Sequence, residues 1–155
     1  MTEAKTALIT GTSSGIGNET AKLFQSRGWR VVATARDPQR AQNLAGLPNV
    51  LLTQLDVTDV RTIDSAVGKA LERFERIDVL VNNAGYGSYG PLETYTSEKM
   101  RKQFDTNVLG LLEVTKAVIP SMRKHHSGVI INLSSVGGKV AFPLGAMYHG
   151  TKFAV

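Results

Sequence analysis

The chain has 155 residues, 42% of them hydrophobic and 20% charged, proportions that supply one domain with a proper core and argue against disorder. Lys plus Arg number 18 against 13 Asp plus Glu, a net charge of +5; the excess suits a small anionic ligand, and its scatter, without a stripe or interleaved aromatics, argues against nucleic acid. The absence of cysteine excludes disulfides, thiolate metal sites and cysteine nucleophiles.

The three histidines, His125, His126 and His149, lack metal-ligand spacing, so no metal is expected. No run approaches the roughly 20 apolar residues of a membrane span. The N-terminus, Met1 to Lys5, does not read as a signal peptide. A cytoplasmic protein without membrane attachment is the expectation.

The first predicted strand is Lys5 to Thr10, its continuous apolar residues marking burial on both faces. A turn follows, Thr10-Gly11-Thr12-Ser13-Ser14-Gly15-Ile16-Gly17, and then a helix from Asn18 to Arg27 ended by Gly28. Ile16, Thr20, Leu23 and Phe24 fall on one side of that helix. Strand, glycine-rich turn and helix together aim free backbone N–H groups at a phosphate. Glycine permits backbone dihedrals that a Cβ forbids and lets a ligand come close. The spacing is G-x-x-x-G-x-G, not the usual G-x-G-x-x-G of dinucleotide sites. Read without the rest of the chain, it is also an ordinary Gly/Ser connection.

Arg30 to Ala35 reads as the second strand, and Asp37-Pro38 opens a short helix that fades by Pro48. Val50 to Leu55 is the third strand. After the turn Asp56 to Asp59, with Thr58 or Asp59 as cap, a helix carries the stripe Ile63, Val67, Ala70, Leu71 and Phe74. Ile77 to Val81 is the fourth strand, followed by the loop Asn82-Asn83-Ala84-Gly85-Tyr86-Gly87. Ser97 is expected to cap a long helix running to about Lys124, with Val108, Leu111, Leu112, Thr115, Val118 and Ile119 in its apolar arc and a kink or break at Pro120. Gly128 to Leu133 is the fifth strand; a last helix begins near Met147.

Alternating strands and helices imply an α/β fold, a doubly wound parallel sheet of about five strands. Its ligand belongs at the C-terminal strand ends, where the strand order reverses. The glycine turn, Arg36, Asp56, the Asn-Asn-Ala-Gly loop and Ser134-Ser135 all follow predicted strands, so five loops should converge on one rim.

These motifs, in this order, resemble the short-chain dehydrogenase/reductases. The resemblance covers the whole chain: the Thr10–Gly17 turn, Asp56-Val57, Asn82-Asn83-Ala84-Gly85, Asn107, Ser135, and Tyr148-His149-Gly150-Thr151-Lys152. It implies a Rossmann fold, a nicotinamide dinucleotide as cofactor and a carbonyl or alcohol substrate. Gly11, Thr12, Ser13, Ser14, Gly15, Ile16 and Gly17 would cradle the phosphates. Asp56 and Val57 would contact the adenine, and Asn83, Ala84 and Gly85 would lie beside the ribose; Asn82 is expected to bond across the sheet.

Tyr148 and Lys152 are four apart, hence on one helix face. A phenol ionises near pH 10 in water, and a neighbouring ammonium favours its charged form. The resemblance makes Tyr148 the acid or base toward the substrate oxygen, and has Lys152 also hold the nicotinamide ribose. It selects Ser135 over its neighbour Ser134 as the serine that bonds the substrate oxygen. It gives Asn107 two tasks: helping to kink the long helix and holding a water that relays protons to the lysine. Without the resemblance, Asn107 is a surface residue or one bonded to a neighbouring loop.

Cofactor choice is read at the end of the second strand, where NAD sites carry an acid for the ribose hydroxyls. Thr34 stands there, and Arg36 two residues on can grip a further phosphate through charge-assisted bonds. Asp37 looks committed to capping the helix at Pro38. NADP is therefore expected over NAD, although a solvated loop arginine would look the same.

The family's further strands and substrate loop have no counterpart in these 155 residues. Residues 1–155 are thus expected to form a single dinucleotide-binding domain of shortened kind. The fifth strand becomes an apolar edge, which invites association into a homo-oligomer. Two readings of function stand side by side: an NADP-dependent oxidoreductase, or a dinucleotide-binding piece without turnover.

Overall fold

A computed structural model describes residues 4–155; Met1 to Glu3, part of the N-terminus read above as unlike a signal peptide, lie outside the described residues. Five strands form one sheet: β1 (Thr6–Thr10), β2 (Arg30–Ala35), β3 (Val50–Gln54), β4 (Val79–Asn82) and β5 (Val129–Asn132). Their order is β3-β2-β1-β4-β5, and every pairing is parallel. The order reverses between β1 and β4, the position at which such sheets open a crevice for ligand.

Among the described residues there are six α-helices, α1 (Gly15–Ser26), α2 (Gln42–Ala45), α3 (Val60–Phe74), α4 (Ser97–Phe104), α5 (Gly110–Lys124) and α6 (Ala146–Ala154); α1, α2, α3 and α5 pack on the sheet, and α4 and α6 on each other. Side chains alternate across the strands and divide the core in two. Leu8, Val32 and Leu80 pack with Ile63, Val67, Phe74, Val114 and Val118 from α3 and α5. Ala7, Ile9, Val31, Ala33 and Val81 pack with Ala21 and Leu44 from α1 and α2. Leu8, Ile9 and Leu80 are fully buried; each such side chain contributes roughly 1.5–3 kcal/mol by leaving water.

The helix ends show why these segments start where they do. The Asp37 side chain accepts from Gln39 N–H, and Asp59, not Thr58, caps α3 by accepting from Arg61 N–H. Gly28 takes φ +81° after α1. Thr96, not Ser97, caps α4: its Oγ1 accepts from Lys99 N–H at 3.2 Å.

Two helical expectations are corrected. The buried face of α1 is Gly17, Asn18 and Ala21, while Ile16 and Leu23 are 68% and 56% exposed. Small residues turn inward because α1 runs hard against the turn before it. The long helix is not broken at Pro120, which lies inside α5 on its exposed side. There water can reach the carbonyl that the proline leaves without a donor. The irregularity falls earlier, in a π-helical turn at Asp105–Leu109 between α4 and α5.

The outer strand β5 is an apolar edge. Val129, Ile130 and Ile131 are 55%, 39% and 42% exposed, although β4 is buried beside them.

Candidate functional site

The turn after β1 is shaped by its glycines. Gly11 and Gly15 hold φ of +72° and +57°, a region costly to residues with a Cβ. A Cβ at Gly17 would run into the Gly11 carbonyl and the Asn83 amide, whereas one at Gly15 would meet open space. Gly17 is thus required for close packing and Gly15 for its dihedral. Thr12 is buried: its N–H and hydroxyl both donate to Thr34 O, and its own carbonyl accepts from Asn18 Nδ2 at 2.8 Å. Ser14 precedes α1 in extended conformation and gives no side-chain cap, and the first turn carries no acid. The first amides of α1 are left for an anion, unlike those of α3 and α4.

The loop after β4 is tied to this turn. Thr10 Oγ1 accepts from the amides of Asn83 and Ala84, both at 3.0 Å. Asn83 Nδ2 donates to the carbonyls of Thr10 and Gly11 at 2.8 and 3.1 Å. Asn82 bonds across the sheet as expected, donating to Asn132 Oδ1 and to Thr115 Oγ1, each at 2.9 Å.

Past β2 the rim turns basic, and past β3 it carries Asp56. Thr34 is buried and donates to Ile9 O, and Arg36 is exposed beyond it. Asp56 shapes its own turn, accepting from the N–H and hydroxyl of Thr58 at 2.9 and 2.7 Å.

At the other end, α6 presents Tyr148 and Lys152. Lys152 Nζ donates to Leu133 O at 2.7 Å, at the end of β5. Burial pulls its ammonium below the usual lysine value. Asn107 sits in the π-helical turn and is 2% exposed. Its Oδ1 accepts from Tyr86 N–H at 3.0 Å, and its Nδ2 donates to Tyr86 O at 2.9 Å and Thr151 Oγ1 at 3.0 Å. It bonds to the neighbouring loop and joins that loop to α6. Ser134 donates its hydroxyl to Lys152 O at 2.9 Å, while Ser135 Oγ accepts from Gly137 N–H at 3.1 Å.

One cleft of about 860 Å³ gathers most of these residues. Gly11, Ser13, Ser14, Ile16, Arg36, Asp56 and Val57 line it, with Asn83, Ala84, Gly85, Tyr148 and Lys152. Five predicted residues are not part of its wall: Thr12, Gly15, Gly17, Asn107 and Ser135. Thr12, Gly17 and Asn107 are buried behind it, and Ser134 stands on the wall where Ser135 was expected.

Sequence reasoning missed Arg40, Lys102 and Asp105, which also line the cleft, as does Tyr86 of the loop after β4. Arg40 lies four positions after Arg36, and that spacing was its only signal. Lys102 and Asp105 arrive from α4 and the π-helical turn through tertiary packing alone. Burial pushes the Tyr86 phenol up; the nearby Arg36 charge opposes this and the Asp105 charge adds to it. Among the described residues no group of three or more His, Asp or Glu could hold a metal, and no helix is long and apolar enough to cross a membrane.

The arrangement is that of known proteins. The family described as short chain dehydrogenase matches residues 5–155. An uncharacterized oxidoreductase of Schizosaccharomyces pombe is 54% identical over 120 residues, 77% of this chain and 51% of its own. A short-chain dehydrogenase from Streptomyces avermitilis superposes with a TM-score of 0.92 at 38% identity, over 97% of this chain and 56% of that one. An actinorhodin polyketide ketoreductase solved with NADPH superposes with a TM-score of 0.93 at 33% identity, over 97% and 60% of the two chains. The chain spans about half the length of the curated relatives it matches. With a parallel sheet opening at its switch point and a glycine turn facing a Tyr-x-x-x-Lys helix, this chain belongs to the short-chain dehydrogenase family.

Proposed function

We propose that this chain binds NADP(H) in the rim cleft and supplies the acid–base machinery of a carbonyl/alcohol oxidoreductase. The observation that carries the reading is the shared cleft, which joins the glycine turn, Arg36, Asp56 and Tyr148 in one wall. The residues present fit a doubly phosphorylated nucleotide with a further phosphate. The uncapped start of α1 fits the pyrophosphate. Arg36 and Arg40 stand exposed beyond β2, where Thr34 replaces the acid of an NAD site. The NADPH carried by the superposed ketoreductase supports the same choice.

When bound, the dinucleotide supplies the hydride chemistry. The chain's own residues orient and move the proton. In reduction Tyr148 gives its phenolic proton to the carbonyl oxygen; in oxidation it takes the hydroxyl proton. Lys152, held on Leu133 O, would supply a cation on the Tyr148 face of α6 and would hold the nicotinamide ribose. Ser134 rather than Ser135 lines the cleft, yet Ser135 has the hydroxyl proton free for the substrate oxygen. Its bond from Gly137 N–H uses a lone pair and leaves its hydroxyl proton for donation, whereas the Ser134 proton is spent on Lys152 O. Asn107 positions Tyr86 and α6 rather than touching the reacting atoms.

A second reading has its own observation. Val136, Val140, Phe142 and Leu144, on the Tyr148 side, are each more than half exposed, as is Val129 on β5. That pattern fits a binding module whose substrate side is uncovered, and the β5 edge fits association between copies. Measuring NADPH oxidation with a set of ketones beside a binding titration separates the two. Saturable binding with turnover supports the enzyme, binding without turnover supports the module, and no binding removes both. Sedimentation velocity tests association: a clean monomer across the concentration range contradicts it.

A further inference from the structure

One buried titratable side chain beside the cleft has no part in the proposed chemistry. His149 follows Tyr148 in α6 and is 4% exposed. Its Nδ1 lies 2.9 Å from Gly137 O, and its Nε2 accepts from Phe142 N–H at 3.1 Å. A carbonyl only accepts and an amide N–H only donates. The two bonds together call for the tautomer with its proton on Nδ1. The surroundings are cut to the imidazole: a Cβ at Gly137 would stand 2.7 Å from Nδ1, and one at Gly145 would overlap Nε2 and Cδ2.

We infer that His149 is a positioning residue that holds the segment bearing Ser135 against the helix bearing Tyr148. Ser135 Oγ takes the N–H of Gly137, and His149 Nδ1–H takes its carbonyl. Gly137 is thus gripped on both sides by the site. It also abuts the catalytic ring, since a Cβ there would come within 3.2 Å of Tyr148 Cε1. Ser135 and Tyr148 share one anchor, and His149 is what fixes it.

Apolar packing holds this segment only at Leu133, against the core, and at Phe142, whose ring lies 5.7 Å from that of His149. Residues 133–145 contain one short helical turn, Val136–Gly138, and the large apolar side chains Val136, Val140, Phe142 and Leu144 face solvent. The segment is tied at its ends, by Ser134 to Lys152 O and by Leu144 O to Gly90 N–H at 2.8 Å. His149 supplies the ties between, at Gly137 and Phe142. Misplacing a reacting group by even an ångström costs rate steeply, so a clamp here acts on the chemical step rather than on cofactor affinity. The inference rests on Ser135 and Tyr148 being the pair that meets the substrate oxygen.

Two substitutions separate the bonds. His149→Asn keeps a donor at the Nδ1 place and loses the acceptor at Nε2; His149→Gln reaches the Nε2 place with its carbonyl and loses the donor. In the 155-residue chain, nitrogen NMR should show the Nδ1–H tautomer, and the Phe142 amide should exchange ~10-fold faster in His149→Asn than in wild type. Both variants should shift the Tyr148 ring and Ser135 resonances. Both should lower kcat for ketone reduction ~10-fold or more while the NADPH Kd changes less than ~2-fold.

Folded variants with unmoved Tyr148 and Ser135 signals, or with unchanged kcat, would reduce His149 to a packing residue and overturn the proposal. If a variant does not fold, wild type still decides: an Nε2–H tautomer or a fast-exchanging Phe142 amide overturns the clamp. Tyr148→Phe distinguishes the two failures. Retained turnover there removes the acid–base reading, while the exchange and tautomer results stand or fall on His149 alone.

Discussion

Arg36→Ala tests the cofactor reading where the structure is most specific. Arg36 is exposed at the mouth of the cleft, so its loss removes a charge without opening a cavity. A hydrogen bond to a charged group contributes about 1.5–3 kcal/mol, and water around an exposed guanidinium places this one toward the lower end. NADPH affinity should therefore fall roughly 10- to 30-fold at low salt. NADH, which offers no phosphate there, should change less than about 2-fold. Raising ionic strength should shrink the NADPH difference, because an exposed charge pair is screened over about 8 Å at 0.15 M. Arg40 lines the same end, so the single variant should keep part of the preference and Arg36→Ala with Arg40→Ala should lose the rest. Nicotinamide fluorescence titrations of both dinucleotides read all of this. Equal losses for NADPH and NADH would refute the phosphate grip, as would a melting temperature that falls with affinity.

Tyr148→Phe should abolish ketone reduction while NADPH binding stays within about 2-fold of wild type, since only the proton donor is removed; a variant keeping most of its rate would take Tyr148 out of the acid–base role. Gly17→Ala drives a Cβ into the Gly11 carbonyl and should cost about 1–3 kcal/mol of stability. Gly15→Ala, in open space at φ +57°, should cost only the dihedral, about 1–2 kcal/mol, and denaturant midpoints that reverse this order would contradict the packing argument. Lys152 gives a pH test. Burial lowers its pKa, so between that lowered value and about 10.4 the unfolded chain binds more protons than the folded one. Stability should rise with pH across that window, and the cost of the buried charge should be fully present below it. Lys152→Met should lose the rise, and parallel pH profiles for the two proteins would show that the site is not desolvated.

How far the sequence could be read depends on where each signal lives. The sheet was legible because β1 and β2 are continuous apolar runs, buried on both faces, and Gly28, Asp37 and Asp59 mark helix ends by local chemistry. Apolar periodicity misled for α1, because Gly17 and Ala21 face inward for closeness while Ile16 opens toward the cleft. Pro120 drew attention as the breaker, yet a proline on a hydrated face is tolerated. The true irregularity, Asp105–Leu109, contains neither proline nor glycine; only the resemblance, which gives Asn107 a part in kinking the long helix, pointed to it, and the partners of Asn107, Tyr86 and Thr151, are far away in sequence. The glycine turn, Arg36 and Asp56 were visible as short motifs after strands, and the Tyr148–Lys152 pair by its spacing on one helix face. Arg40, Lys102 and Asp105 were not, since only the folded chain brings them to the rim. His149 was passed over because histidine was weighed as a metal ligand; its two backbone bonds reveal a different use.

On the proposed reading the rim holds NADP(H) with its adenosine end at Arg36 and its nicotinamide end at Lys152. Amide NMR of the 155-residue chain titrated with NADPH tests it most directly. Saturable shifts are expected in the Gly11–Gly17 turn, at Arg36, at Asp56 and Val57, at Ala84 and Gly85 and at Lys152, with the β5 edge unmoved. Shifts confined to other surfaces, or none at saturating cofactor, would contradict it.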